Sequence, residues 1–195
     1  MKNIADIAER MSLRECADAT WLCLRNQYDE RPVTVETFVT DPHFLGGYFK
    51  GRSRFWPFWL DTLKDLYPTE FHALYEECVW SLPIGSGKSL TATSVILYEI
   101  HKLLCLKNPN THYGLAPSVP IAFALFSATL SLSQDVNWEY FEGLLEASPY
   151  FQEKSALTKS KGKTVQSVDF PKNIRIMLGS TDTHALGKAT FGGIL

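Results

Sequence analysis

Gly85, Gly87, Lys88 and Ser89 are the residues whose types and spacing could do chemistry by themselves. The stretch they belong to, Leu-Pro-Ile-Gly-Ser-Gly-Lys-Ser at 82–89, follows a phosphate-binding pattern: a glycine, four free positions, then Gly-Lys-Ser/Thr. Leu82 stands where the first glycine belongs. Lacking Cβ atoms, Gly85 and Gly87 let the backbone curl so that its N–H groups converge on an anion. Lys88 would reach the β- and γ-phosphates of a nucleotide, and Ser89 would place its hydroxyl on Mg²⁺. A helix starting at Lys88 would add the positive end of its dipole.

The expected setting of such a loop is a strand that runs in and a helix that runs out. Glu77-Cys78-Val79-Trp80-Ser81-Leu82 reads as the strand. Residues 88–106 read as the helix, with Leu90, Ile96, Leu97, Ile100, Leu103 and Leu104 on one broad face and Asn108-Pro109-Asn110 as its stop. The plainer alternative is a Gly-Ser turn followed by a solvated lysine.

The other elements fall on either side of this unit. Residues 12–28 read as a helix with Ser12 as N-cap, Glu15 completing a capping box, and Leu13, Cys16, Ala17, Thr20, Leu22 and Leu24 as its apolar side. Residues 33–39 fit strand and helix alike. A turn-rich connector at 41–47 leads to Phe55-Trp56-Pro57-Phe58-Trp59, which opens a helix running to about Tyr67 with Pro57 in its first turn. After the loop helix, Ile121-Ala122-Phe123-Ala124-Leu125-Phe126 has the continuous apolar character of a parallel strand buried on both faces. Ser127-Ala128-Thr129 offers capping chemistry for a helix carrying Val136, Trp138, Tyr140, Phe141, Leu144 and Leu145, which Ser148-Pro149 ends. Strands at 165–170 and 174–178 flank Pro171-Lys172-Asn173, a hairpin turn. A helical turn at 182–186 and the start of a strand at 190–195 close the reading.

Composition bounds the class. A 45% hydrophobic content supports one α/β unit with a sizeable core. No apolar run approaches the roughly 20 residues of a bilayer span, and the first residues lack a signal peptide's apolar core, so the expected location is the cytosol. Cys16, Cys23, Cys78 and Cys105 lack zinc-site spacing and read as buried free thiols. His43, His72, His101, His112 and His184 are scattered, with no metal-ligand spacing, and most read as surface or interface residues. The net charge of −2 carries no global nucleic-acid signature. Beyond Gln152, however, Lys154, Lys159, Lys161, Lys163, Lys172, Arg175 and Lys188 outnumber Glu153, Asp169 and Asp182. That half could face a polyanion, or it could be a solvated lysine loop.

The order of these segments resembles the ATPase domain of the large terminase subunit, the DNA-packaging motor of tailed double-stranded DNA bacteriophages. The likeness is carried by residues 40–46, by the Trp56-Pro57-Phe58-Trp59 helix to Leu66, and by 84–89. It continues through Leu125-Phe126-Ser127-Ala128-Thr129, Ser148-Pro149-Tyr150-Phe151, and 178–195. The resemblance implies a P-loop NTPase of the RecA-like (ASCE) kind, a three-layer sandwich with a mostly parallel central sheet. Residues 1–50 would be an N-terminal helical segment and 51–195 a partial ATPase domain that breaks off at the Walker B strand. The acidic pair would follow Leu195, so the chain by itself should hydrolyse ATP poorly, and no nuclease domain is included.

In site terms the resemblance places ATP on Ile84, Gly85, Ser86, Gly87, Lys88, Ser89 and Leu90. Lys88 would be catalytic and Ser89 the Mg²⁺ ligand. Many family members carry an arginine within the loop, where this chain has Ile84 and Ser86. Near the family's adenine-reading glutamine the chain has Trp59, with Trp56 beside it, so these rings either stack on adenine or pack in the core. The implied partners are double-stranded DNA, a portal protein, a small terminase subunit and further copies in a ring. The implied place is the host cytoplasm and, transiently, the procapsid portal. The N-terminal helix could contact the small subunit or the portal, or pack on its own domain. A helicase-like P-loop ATPase and a nucleotide-free interaction module with a vestigial loop remain as alternatives.

Overall fold

The computed structural model describes residues 12–49, 55–127, 138–154, 158–161 and 166–180. Helix α1 (Leu13–Leu24) starts at the expected capping box: the Glu15 amide donates to Ser12 Oγ, and the Ser12 amide donates to Glu15 Oε2 at 2.8 Å. Of its apolar side only Ala17 is buried, while Leu13 and Leu22 stand exposed. The ambiguous stretch at 33–39 resolves as helix α2 (Val35–Thr40), with the Thr34 hydroxyl accepting from the Thr37 amide at 3.3 Å. Helical periodicity brings Val35, Phe38 and Val39 to one side, and all three are buried. Helix α3 (Pro57–Leu66) has Pro57 in its first turn and buries Trp59, Leu63 and Leu66, one residue per turn.

Helix α4 (Lys88–Cys105) is the axis of the domain. Ile96, Leu97, Ile100, Leu103 and Leu104 are all buried, as the spacing required. Two of its side chains grip the backbone of Val33: the Tyr98 hydroxyl donates to the Val33 carbonyl at 2.9 Å, and His101 Nε2 accepts from the Val33 amide at 3.2 Å. Phe38, Phe44 and Tyr150 surround His101 with ring centroids 4.9–5.3 Å away. Helices α2 and α3 therefore share one core with α4. Asn108-Pro109-Asn110, read as a stop, opens a further one-turn helix, α5 (Pro109–His112), because the Asn108 side chain caps the Thr111 amide at 3.1 Å.

Strand β1 (Ile121–Ser127) is followed by helices α6 (Glu139–Ala147) and α7 (Pro149–Lys154), which meet at Ser148. Phe141, Leu144 and Leu145 of α6 are buried as expected; Ala128, Thr129 and Val136 lie outside the described residues. Strands β2 (Thr158–Lys161), β3 (Gln166–Phe170) and β4 (Ile174–Ser180) complete a four-stranded sheet in the order β1-β4-β3-β2. The helical turn at 182–186 and the strand at 190–195, including the expected Walker B break, lie outside the described residues.

Among the described residues this sheet is mixed, where a mostly parallel one was expected. Of the described strands only β1 and β4 pair in parallel; β3 pairs antiparallel with both β4 and β2. The cause is the connection, since three residues between Phe170 and Ile174 can close a hairpin but cannot make a parallel crossover. Lys172 and Asn173 both take left-handed φ values, 63° and 61°, to make that turn. The hairpin half is also not sandwiched: Val168, Phe170, Ile174 and Ile176 are buried on one face, while Asp169 and Arg175 pair on the more exposed face. At β1, by contrast, Ile121 and Leu125 on one face and Ala122 and Ala124 on the other are all buried.

The second correction is the strand expected at 77–82, which forms no ladder with any described strand. Val79 is 81% exposed and Trp80 turns toward Trp59, with ring centroids 4.8 Å apart. A β-rich composition makes a strand only beside a hydrogen-bonding neighbour. Here a groove of about 420 Å³, walled by Cys78, Trp80, Val95, Ile96, Ile121 and Phe123, separates the segment from β1.

The cysteines correct a smaller expectation. Only Cys105 is buried, with burial pushing its thiol up to about 12; Cys16 is half-buried, and Cys23 and Cys78 are exposed. Of the described histidines, His43, His72 and His112 are exposed, as expected of most of them, while His101 is in the core, where desolvation drives its pKa down to about 3. Among the described residues, no helix is long and apolar enough to cross a membrane.

Candidate phosphate-binding site

The loop between the 77–82 segment and α4 is built by its glycines. Gly85 and Gly87 take φ values of +83° and +82°, the left-handed conformation that other residues adopt at a cost. Gly87 is the N-cap of α4, and its carbonyl accepts the first helical hydrogen bond from Thr91 at 3.0 Å. Leu82, where the pattern's first glycine is missing, is not among the described non-glycine residues with positive φ. The substitution therefore puts no left-handed strain on the backbone, which explains how the loop forms without that glycine.

Lys88 projects from the first turn of α4, and its ammonium donates to the Leu82 carbonyl at 2.6 Å and the Pro83 carbonyl at 2.9 Å. It thus folds back across its own loop. Ser89 and Leu90 follow in the same turn, both half-buried. Ile84 at the loop tip is fully exposed, and the Ser86 hydroxyl is buried with no hydrogen-bond partner among the described residues. A buried hydroxyl without a partner costs about 1–3 kcal/mol unless something supplies one.

Of the two readings of Trp59, adenine stacking or core packing, the structure takes the second. The residue is 3% exposed, with Trp80 and Phe58 against it at centroid distances of 4.8 and 5.2 Å, so no face is open to a base. Its indole N–H instead donates to the Ser86 carbonyl at 2.7 Å. Trp56 is half exposed and takes no part in this contact. Sequence reasoning found Trp59 by its position upstream of the loop but missed this role. No residue pattern distinguishes a tryptophan whose N–H meets a loop carbonyl from one that packs.

The basic excess beyond Gln152 is reduced by pairing. Lys154 pairs with Glu30 at 2.9 Å and Arg175 with Asp169. Lys172 donates to Asp29 at 2.8 Å and to the Leu104 and Leu106 carbonyls at 2.6 Å each, capping the end of α4. These three cations are engaged within the fold. Lys163, Lys188 and the side chains of Lys159 and Lys161 lie outside the described residues.

The residues present fit a magnesium nucleotide. Two left-handed glycines, an 18-residue helix beginning at the loop, a lysine able to leave neutral carbonyls for phosphate, a serine after it and an orphaned buried hydroxyl share one place. An α/β fold with this loop ahead of its central helix defines a P-loop NTPase domain. Comparison with protein families agrees: the model described as "Uncharacterized protein MJ0330, N-terminal P-loop domain" matches residues 21–191. The chain belongs to that family. No curated protein and no solved structure matches it.

Proposed function

We propose that this chain is the nucleotide-binding part of an ATP-driven motor on double-stranded DNA, of the kind found in the large terminase subunit of tailed bacteriophages. The observation that carries the nucleotide part is the loop itself, with left-handed Gly85 and Gly87 leading into Lys88 and Ser89 at the start of α4. Backbone amides of 85–87 hold the phosphates, Lys88 moves from the Leu82 and Pro83 carbonyls onto phosphate oxygens, and the Ser89 hydroxyl holds Mg²⁺. Bound Mg²⁺–ATP supplies the phosphoryl group whose transfer to water drives the motor. Lys88 offsets negative charge as that transfer proceeds.

The motor reading, with its RecA-like architecture, rests on the order of segments from 40 to 195. From it follow the proposed partners, namely double-stranded DNA, a portal protein, a small terminase subunit and further copies in a ring, and the proposed place, the host cytoplasm and procapsid portal. One observation favours a different reading, a nucleotide-free interaction module: the Lys88 ammonium is satisfied by its own loop. Calorimetric titration with Mg²⁺–ATP separates the two. The nucleotide reading expects saturable binding that Lys88→Ala weakens at least tenfold, whereas equal affinity in the two proteins would refute it. Stimulation of ATP turnover by double-stranded DNA would then test the motor.

A further inference from the structure

The structure assigns Trp59 a positioning role: its indole N–H sets the orientation of the Ser86–Gly87 peptide, and so aims the Gly87 amide into the phosphate cradle. This rests on the nucleotide reading of the loop. A cradle of inward N–H groups must turn its carbonyls outward, and an outward carbonyl that is buried needs a donor. Trp59 Nε1 is that donor for Ser86 at 2.7 Å, from 27 residues earlier in the chain.

The peptide group is planar and trans, so its C=O and N–H point in opposite directions. Anchoring the Ser86 carbonyl on the indole therefore directs the Gly87 N–H away from Trp59. The anchor is rigid, because Trp59 is 3% exposed and held between Trp80 and Phe58. It is also close: a Cβ added at Gly87 would lie 3.2 Å from Nε1. Gly87 is thus glycine for two reasons, its left-handed φ and the indole edge beside it.

Trp59→Phe keeps an aromatic ring in the core and removes the N–H. Its affinity for Mg²⁺–ATP and for magnesium tripolyphosphate, which has no base, should fall by the same factor, about five- to tenfold, the loss of one buried hydrogen bond. Lys88→Ala should weaken binding of both at least tenfold. Unchanged affinity in Trp59→Phe would overturn the assignment, and so would a loss confined to ATP, which would mean a base contact. If Lys88→Ala binds like the parent, the loop reading itself fails, and the role of Trp59 with it. A measurement on the unaltered protein covers the case in which Trp59→Phe does not fold. The Trp59 indole ¹H–¹⁵N resonance, assigned by its proximity to Gly87, should shift when magnesium tripolyphosphate is added. A resonance that stays in place while the ligand binds would overturn the role.

Discussion

His101 makes this protein acid-sensitive in a way that one substitution can isolate. The ring is 1% exposed, its Nε2 accepts from the Val33 amide, and desolvation by the surrounding core lowers its pKa from the ordinary 6.5 to about 3. The nearby ammonium groups of Lys154 and Lys102 push the same way, while Cys105, Tyr98 and Tyr150 are held neutral by burial. Folding therefore excludes a proton that the unfolded chain accepts readily. The stability that neutral His101 allows is fully present above pH 6.5 and declines as pH falls from there toward 3.

Each pH unit in that window costs about 1.4 kcal/mol, so between pH 6.5 and 5.0 the loss is about 2 kcal/mol, or about 4–8 °C in Tm for a chain of this size. His101→Gln keeps an acceptor for Val33 and cannot titrate. It will be less stable than the parent at every pH, because ring packing against Phe38 at 5.3 Å is lost. The decisive quantity is the slope. Tm measured by calorimetry from pH 7.5 to 4.5 should fall more steeply in the parent, and the gap between the two proteins should close by about 2 kcal/mol near pH 5. Parallel slopes would refute the reasoning.

The remaining predictions concern the backbone and its anchors. Lys172→Met leaves the Leu104 and Leu106 carbonyls without their cation and should cost about 2 kcal/mol in urea denaturation, since both residues are buried. Gly46→Ala places a Cβ 2.1 Å from the Thr40 carbonyl oxygen, so the connector after α2 must shift; a Tm drop of several degrees is expected, and an unchanged Tm would contradict that packing. Gly85→Ala meets no neighbour within 4 Å but must adopt φ +83°. It should cost only about 1 kcal/mol in stability while weakening Mg²⁺–ATP binding, as read by calorimetry.

Local signals were legible wherever one residue's own chemistry decides the outcome. The capping box at Ser12 and Glu15, Pro57 opening α3, and the glycines ahead of α4 lie where sequence reading placed them. Hydrophobic spacing gave α4 and β1 nearly to the residue. The expectations that failed are those needing a partner. Residues 77–82 have strand composition but no strand beside them among the described residues. Of the basic residues beyond Gln152, Lys172 serves the end of α4 and Lys154 pairs with Glu30, roles that a count of lysines does not reveal. His101 and Cys105, four residues apart, looked no different in sequence from their exposed counterparts.

The phosphate loop divides along the same line. That Gly85, Ser86, Gly87, Lys88 and Ser89 can make a left-handed turn into a helix N-terminus follows from covalent structure, because glycine lacks the Cβ that forbids it. The chain alone determined that much. Which way each peptide of the loop faces, and where Lys88 rests, depends on donors and acceptors brought from far along the chain. Only the tertiary structure sets Trp59 beneath Ser86, since a hydrogen bond across 27 residues is decided by how α3 packs against the loop and leaves no periodic trace in the sequence.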